Sequence, residues 1–266
     1  MESDSFVFVE REDGAPYDAS ELSAVAPFFP SITTPTSFNL SYESLTAVHE
    51  ARQQRPDQRL FVDELLSVLG LDGALFPPAS ASALDSLLFK LLTAAERLTA
   101  NCIIFYLLLA DASSPTDPRP TAFVRDVHLP VGHTRTIEGF YALDSGSWRS
   151  AVAALTDPHL TNLDANLVDK TFKVLSTLAP EDARAKLVLS YWRLSGVPLA
   201  SEEQAGIVVD ALCDRQKKLG VVEAWAIQRA WGDEEVQARL VRRVLLRCFG
   251  GASLLFQLWF PKQADS

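Results

Sequence analysis

Between Ala83 and Ala110 the apolar residues Leu84, Leu88, Leu91, Ala95, Leu98, Cys102, Phe105 and Leu109 return every three or four positions, the period of one helix face. The final two turns, Ile103 to Ala110, are apolar on every side. A segment of that kind cannot lie on a surface, so other elements have to enclose it. Its eight residues fall far short of the roughly 20 needed to cross a bilayer, and the enclosure must therefore be protein. An unbroken helix over the whole stretch would be about 40 Å long and is expected to form the spine of the fold.

The flanking sequence supplies enclosing helices. Ser41, followed by an early Glu43, predicts a helix start, and Pro56 sets its end. Arg59 to Leu69 presents Phe61, Leu65, Leu66 and Leu69 before Gly70 closes it. Pro115, Pro118, Pro120 and Pro130 interrupt residues 113–130, which read as a surface loop and hinge with a short turn at FVRDV. Asp164 is placed to cap a helix whose inner face is Leu167, Val168, Thr171, Leu175 and Leu178, and Pro180 opens another that runs to Ser195 before Gly196.

Further on, Ser201 to Gln204 reads as a capping box for a helix bearing Val208, Ala211 and Leu212 and ended by Gly220. Val221–Trp231 and Asp233–Phe249 form a pair divided by Gly232, and Gly250-Gly251 leads to a short apolar helix, SLLFQLWF, stopped at Pro261. Aromatic-bearing helix ends meet a glycine at Gly146, Gly196 and Gly232, but the spacings are unequal and no fixed repeat exists. The expected fold is all-α, an irregular α-solenoid of about ten helices stacked as hairpins.

The hairpin from Thr136 to Pro158 carries the most specific pattern. Ile137, Phe140, Tyr141 and Leu143 lie at helical spacing, Gly146 can take the left-handed conformation that ends a helix, and Ser147 can cap the next, which bears Trp148, Ala151, Val152 and Leu155. Asp157-Pro158 stops it. Alone, the spacing is similar to part of a tetratricopeptide unit. The longer string GFYALDSGSWRSAVAALTDPHL resembles the signature of the ELYS-like nuclear pore assembly domain, carried by Gly139, Phe140, Tyr141, Leu143, Asp144, Gly146, Trp148, Ala151, Asp157 and Pro158, and the similarity runs more loosely from about Phe61 to Phe260.

That resemblance implies a non-enzymatic nucleoporin at the nuclear envelope that docks on large outer-ring nucleoporins of the pore's Y-shaped scaffold complex. The compact fungal members are the better comparison, because neither the β-propeller nor the basic AT-hook tail of animal members is found in the sequence. Chromatin recruitment is accordingly not transferred. The alternative is a tetratricopeptide-like adaptor holding a short peptide in a concave groove, which would call for several Asn or Lys residues pointing inward.

Charge and cysteine usage narrow the classes further. The net charge is −10, against the basic excess that phosphate binding requires, so no direct nucleic-acid contact is expected. Met1 to Asp72 holds 13 acidic side chains against four arginines, a balance of −9. Residues 1–38 read as an acidic, mostly disordered arm, with FVFVE offering a short strand or docking segment and Ala26 to Phe29 a pin to the body. Residues 39–261 are expected to form the helical domain and 262–266 a polar tail. The start is acidic and lacks the basic and apolar regions of a targeting peptide. Cys102, Cys213 and Cys248 are odd in number and widely spaced, so reduced buried thiols are expected rather than a disulfide framework or zinc site.

Chemistry-bearing motifs are scarce. His128 and His133 are separated by Pro130 and Gly132, which breaks the helical spacing a metal pair needs, and GxSxG, GxGxxG, HExxH and the phosphate-binding GxxxxGK[ST] are absent. Asp144 beside Ser-Gly-Ser is expected to tie down local backbone. No catalytic residue, cofactor, metal, membrane insertion or small-molecule substrate is expected. Arg239, Arg243 and Arg247, with Phe256, Trp259 and Phe260, are the candidate partner surface, since exposed aromatic and arginine side chains anchor interfaces.

Overall fold

Twelve α-helices and one 3-10 turn make up the regular structure, and no strand occurs among the described residues. The computed structural model of the chain describes residues 25–29, 42–112, 114, 116–160, 164–214 and 218–249. They fall into two compact units divided between residues 161 and 162. The fold is all-α and solenoid-like, as the periodicities require. The acidic arm outside Val25–Phe29, the FVFVE segment, the SLLFQLWF helix and the polar tail lie outside the described residues.

In the first unit the helices are α1 (Tyr42–Gln54), α2 (Phe61–Val68), α3 (Ala81–Thr93), α4 (Arg97–Asp111), α5 (Pro118–Asp126), α6 (Val131–Asp144) and α7 (Trp148–Leu155), with the 3-10 turn at Gly73–Leu75. Helix α4 is the centre and touches α2, α3, α5 and α6. Every residue from Cys102 to Leu108 is buried, as an all-round apolar segment demands.

Two expectations fail here for physical reasons. The single long spine is two helices, because Ala94 is extended (φ −62°, ψ 142°) and the chain folds back before Arg97. Nothing in LLTAAER breaks a helix. Packing overrides propensity: folded back, α3 lies against α4 and completely buries Leu84, Leu88 and Leu91. The proline-rich stretch, read as a loop, contains the nine-residue α5. Its prolines fall in the first turn, where backbone N–H groups have no partner within the helix, and the Asp117 carboxylate caps it by accepting from Arg119 N at 2.9 Å.

The Ala26 to Phe29 cluster does meet this body. Phe28 packs edge-on against Phe123 of α5 with ring centroids 5.3 Å apart, and Arg119 donates to its carbonyl at 3.3 Å. Arg119 is itself fixed by Asp111 and Asp117, both at 2.6 Å.

The second unit holds α8 (Ala165–Thr177), α9 (Glu181–Ser195), α10 (Glu202–Asp214), α11 (Lys218–Ala230) and α12 (Glu234–Phe249). Helix α10 is its hub and packs on the other four. Asp164 caps α8 through Asn166 N at 2.8 Å, and Gly196 ends α9 with φ +65°. Ser201 accepts from Gln204 N at 3.2 Å, while the Gln204 side chain reaches one residue further back than expected, accepting from Ala200 N at 2.7 Å.

Gly220 is not a terminator. Helix α10 stops at Asp214, and Gly220 sits in the first turn of α11, where a Cβ would meet the Leu212 carbonyl oxygen at 2.4 Å. The glycine is there for close approach of α11 to α10.

Candidate functional site

The residues of the recognised hairpin converge on one buried carboxylate. Asp144 is the last residue of α6, and its Oδ2 accepts from the Tyr106 hydroxyl of α4 at 2.9 Å and from the Phe61 N–H at the start of α2 at 2.9 Å. Its Oδ1 accepts from Arg55 Nη2 at 3.0 Å, and the same nitrogen donates to the Leu143 carbonyl at 2.9 Å. The two charged side chains are 4% and 2% exposed. Beyond the local role expected of Asp144, its carboxylate joins groups on three other parts of the unit. The turn itself places Gly146 at φ +74° and bonds Ser145 N to Tyr141 O and Ser147 N to Ala142 O at 2.9 and 2.7 Å. Ser147, expected to cap α7 with its side chain, makes no such bond.

Aromatic rings frame the ion pair. Phe140 stacks on Phe61 at 4.6 Å and 14°, the Arg55 guanidinium lies 5.7 Å from the Phe61 ring centroid, and Tyr106 stands edge-on to Tyr141 at 5.6 Å. Arg55 Nε and Nη1 are buried without a hydrogen-bond acceptor, so the ring face is the only compensation given to that side of the guanidinium among the described residues. A second pair parallels the first: Arg52 donates to Asp63 of α2 and to the carbonyls of Gly73 and Phe76.

Other signature residues build the hairpin itself. A Cβ on Gly139 would lie 2.4 Å from Leu155 Cγ, so the small residue sets how closely α6 and α7 approach. Ala151 is completely buried. Trp148 is half-buried beside Gly146. Asp157, before Pro158, accepts from His159 N at 2.9 Å and pairs with Arg135 of α6 at 3.4 Å, returning the end of α7 to α6. The His159 contacts hold its carboxyl below the usual range. Gly139→Ala is expected to lower unfolding free energy by about 1–3 kcal/mol through overpacking, and Leu155→Val in the same chain to restore part of it in a denaturant titration.

Between α4, α5 and α6 lies an open groove with a cavity volume of about 540 Å³, lined in part by Phe105, Leu109, Pro120, Val124, Glu138 and Tyr141. Its lining contains neither Asn nor Lys, the residues a tetratricopeptide-like peptide clamp would present.

Three buried hydroxyl and thiol groups, two in this core and one in the second unit, are pushed away from neutrality. Burial first, then the Asp144 charge, raises Tyr106 well above the ordinary tyrosine value, and burial pushes Cys102 and Tyr191 up to about 12. A catalytic acid or base is tuned toward its working pH, and these are tuned out of it. Their protons are held more tightly in the folded chain than in the unfolded one, so their contribution is complete below pH ~9 and is lost as pH rises toward their folded values. Melting temperature is therefore expected to fall progressively above pH ~9, beginning with the thiols Cys102 and Cys213, and Cys102→Ala to remove part of the onset of that fall.

In the second unit the arginine row faces α10. Arg239 grips Glu202 at 2.7 and 2.8 Å, Arg243 grips Asp210 with two bonds of 2.8 Å, and Arg247 reaches Asp210 and Asp214 at 3.3 and 3.4 Å. These pairs ascend both helices together, so α10 and α12 run parallel, as alternate members of a stack do. The three guanidinium groups have acidic partners in their own unit yet stay about half exposed. Phe256, Trp259 and Phe260 lie outside the described residues.

The family model described as ELYS, nuclear pore complex assembly, matches residues 59–263. The chain belongs to the ELYS family. No curated protein matches it. The ELYS match spans the hairpin and most of both units, and it assigns this chain to nuclear pore assembly and to the pore as its place of work. The match begins at Arg59, so Arg52 and Arg55, which pair with Asp63 and Asp144, lie outside the matched residues.

Sequence reasoning missed those two arginines and Tyr106. A signal existed for Tyr106, the one hydroxyl in an otherwise apolar run, since a buried phenol needs an acceptor. For Arg55, next to a proline at a helix end, there was none.

Proposed function

We propose that this ELYS-family chain is a non-enzymatic scaffold that docks on the outer-ring Y-shaped complex of the nuclear pore and supports its assembly. The observation that carries the proposal is the family match across 59–263. It is supported by the way the buried polar groups of the first unit serve helix-to-helix contacts, leaving the outside of the stack as the working surface. We place the partner contact at the C-terminal end, with Phe256, Trp259 and Phe260 as apolar anchors and the half-exposed arginine row of α12 as its flank. Because Arg239, Arg243 and Arg247 already hold acidic partners, an incoming acidic surface gains from them mainly in steering.

The test is affinity capture of the tagged full chain from its own cells at low salt, with the eluate identified by mass spectrometry. Outer-ring nucleoporins are expected to be recovered, and Phe256→Ala with Trp259→Ala to deplete them at least tenfold. An eluate free of those nucleoporins sinks the docking proposal. Recovery undiminished in the double variant moves the contact elsewhere on the stack.

A further inference from the structure

Two of the three cysteines meet. Cys213 lies on the buried face of α10 and Cys248 in the last turn of α12, with their sulfur atoms 3.7 Å apart. The approach does not rest on one pair of rotamers. Arg243 and Arg247, five residues and one residue before Cys248 on α12, are bound to Asp210 and Asp214 of α10 on both sides of Cys213 in sequence, which fixes the register that brings the thiols together. A disulfide is about 2.05 Å long, so the sulfurs must close by roughly 1.7 Å for the bond to form. Cys102, buried in the first unit, makes no sulfur contact among the described residues and serves as an internal control.

From this geometry we propose that Cys213 and Cys248 form a reversible intramolecular disulfide site that takes hydrogen peroxide as its oxidant. The half-buried Cys248 meets the oxidant first. Its thiolate attacks one peroxide oxygen and the O–O bond breaks, giving the sulfenic acid and a hydroxide that takes up the thiol proton as water. The Cys213 sulfur then attacks the Cys248 sulfur and expels the hydroxyl, which leaves as a second water with the Cys213 proton. Two thiols are oxidised and one peroxide is reduced to two waters.

The division of roles follows burial. Desolvation, then the Cys248 contact, pushes Cys213 up to about 12, so it is poor at attacking a free oxidant but correctly placed to resolve a neighbouring sulfenic acid. In a reducing compartment the resting state is the dithiol, and the bridge forms only under oxidative load. Once formed, it bolts the last turn of α12 to α10 at the point where the chain continues toward residues 250–266.

The test treats the folded full-length chain with hydrogen peroxide, alkylates the remaining thiols after denaturation and maps them by mass spectrometry. The expected product has lost two hydrogens, carries a single alkylated cysteine at Cys102, links the peptides containing Cys213 and Cys248, and returns to three free thiols with a dithiol reductant. Amide exchange at the end of α12 is expected to slow severalfold on bridging. Cys213→Ser is expected to leave a trappable sulfenic acid at Cys248 and no bridge. Oxidation of Cys248 to the sulfinic acid while Cys213 stays free in the unaltered chain would overturn the proposal, as would bridges formed only between chains. Both readings come from the natural sequence, so a variant that fails to fold leaves the answer intact.

Discussion

Asp144→Ala is expected to cost about 3–5 kcal/mol, the penalty of leaving a buried charge without its partner. The Arg55 guanidinium, 2% exposed, loses its one carboxylate partner among the described residues, while the Phe61 N–H and the Tyr106 hydroxyl each lose an acceptor. Hydrogen exchange followed by mass spectrometry should show the change in α2, α4 and α6 and leave α8 to α12 protected, since the bonds to Arg55, Phe61 and Tyr106 lie within the first unit. Asp144→Asn keeps an acceptor and is expected to lose less. The decisive comparison removes both charges: Arg55→Met with Asp144→Leu should recover most of the deficit, with Tyr106→Phe added to relieve the stranded hydroxyl, because an apolar replacement of a buried pair is often neutral. If Asp144→Ala shifted unfolding by less than about 1 kcal/mol, the buried hub would be no more consequential than a surface pair.

Phe140→Ala is the second large effect, again about 3–5 kcal/mol. The ring is completely buried and stacked on Phe61, so truncation empties space between α2 and α6 and also removes the support of the ring over which Arg55 lies. Phe140→Leu should retain more than half of the stability, because it restores most of the volume but not the ring stacking. The two sites touch through Phe61. Combining Phe140→Ala with Asp144→Ala should therefore cost less than the separate losses together, and a denaturant-melt cycle would read that coupling. Strict additivity would show that ring stack and ion pair are independent.

Much of the architecture could be read from residue order because local chemistry and global packing agree there. Gly146 and Gly196 end helices in the left-handed conformation, Asp164 caps α8, and the all-round apolar run of α4 is enclosed. Reading failed where a breaker residue had a second use. Pro118 and Pro120 open a helix instead of preventing one, and Gly220 admits a neighbouring carbonyl instead of ending α10. The chain reversal at Ala94 had no local signal, since it is imposed by the burial of α3 on α4.

The hairpin was legible as a pattern but not as a mechanism. Phe140 and Asp144 were singled out by resemblance, and the reason those residue types are needed lies 79 to 89 positions away, in Phe61 and Arg55. Periodicity reports which face of a helix is apolar. It cannot report which distant cation a carboxylate will meet. The arginine row illustrates the same limit: its sequence spacing showed a basic face on α12, while its partners belong to a parallel helix some 33 to 37 residues earlier.

Because both neutralising guanidinium groups come from residues 52 and 55, a fragment trimmed to the matched range at residue 59 would leave the carboxylates of Asp63 and Asp144 without their counter-ions. A stable piece of the first unit is thus expected to include residues 52 and 55, ahead of the stretch that the family match covers.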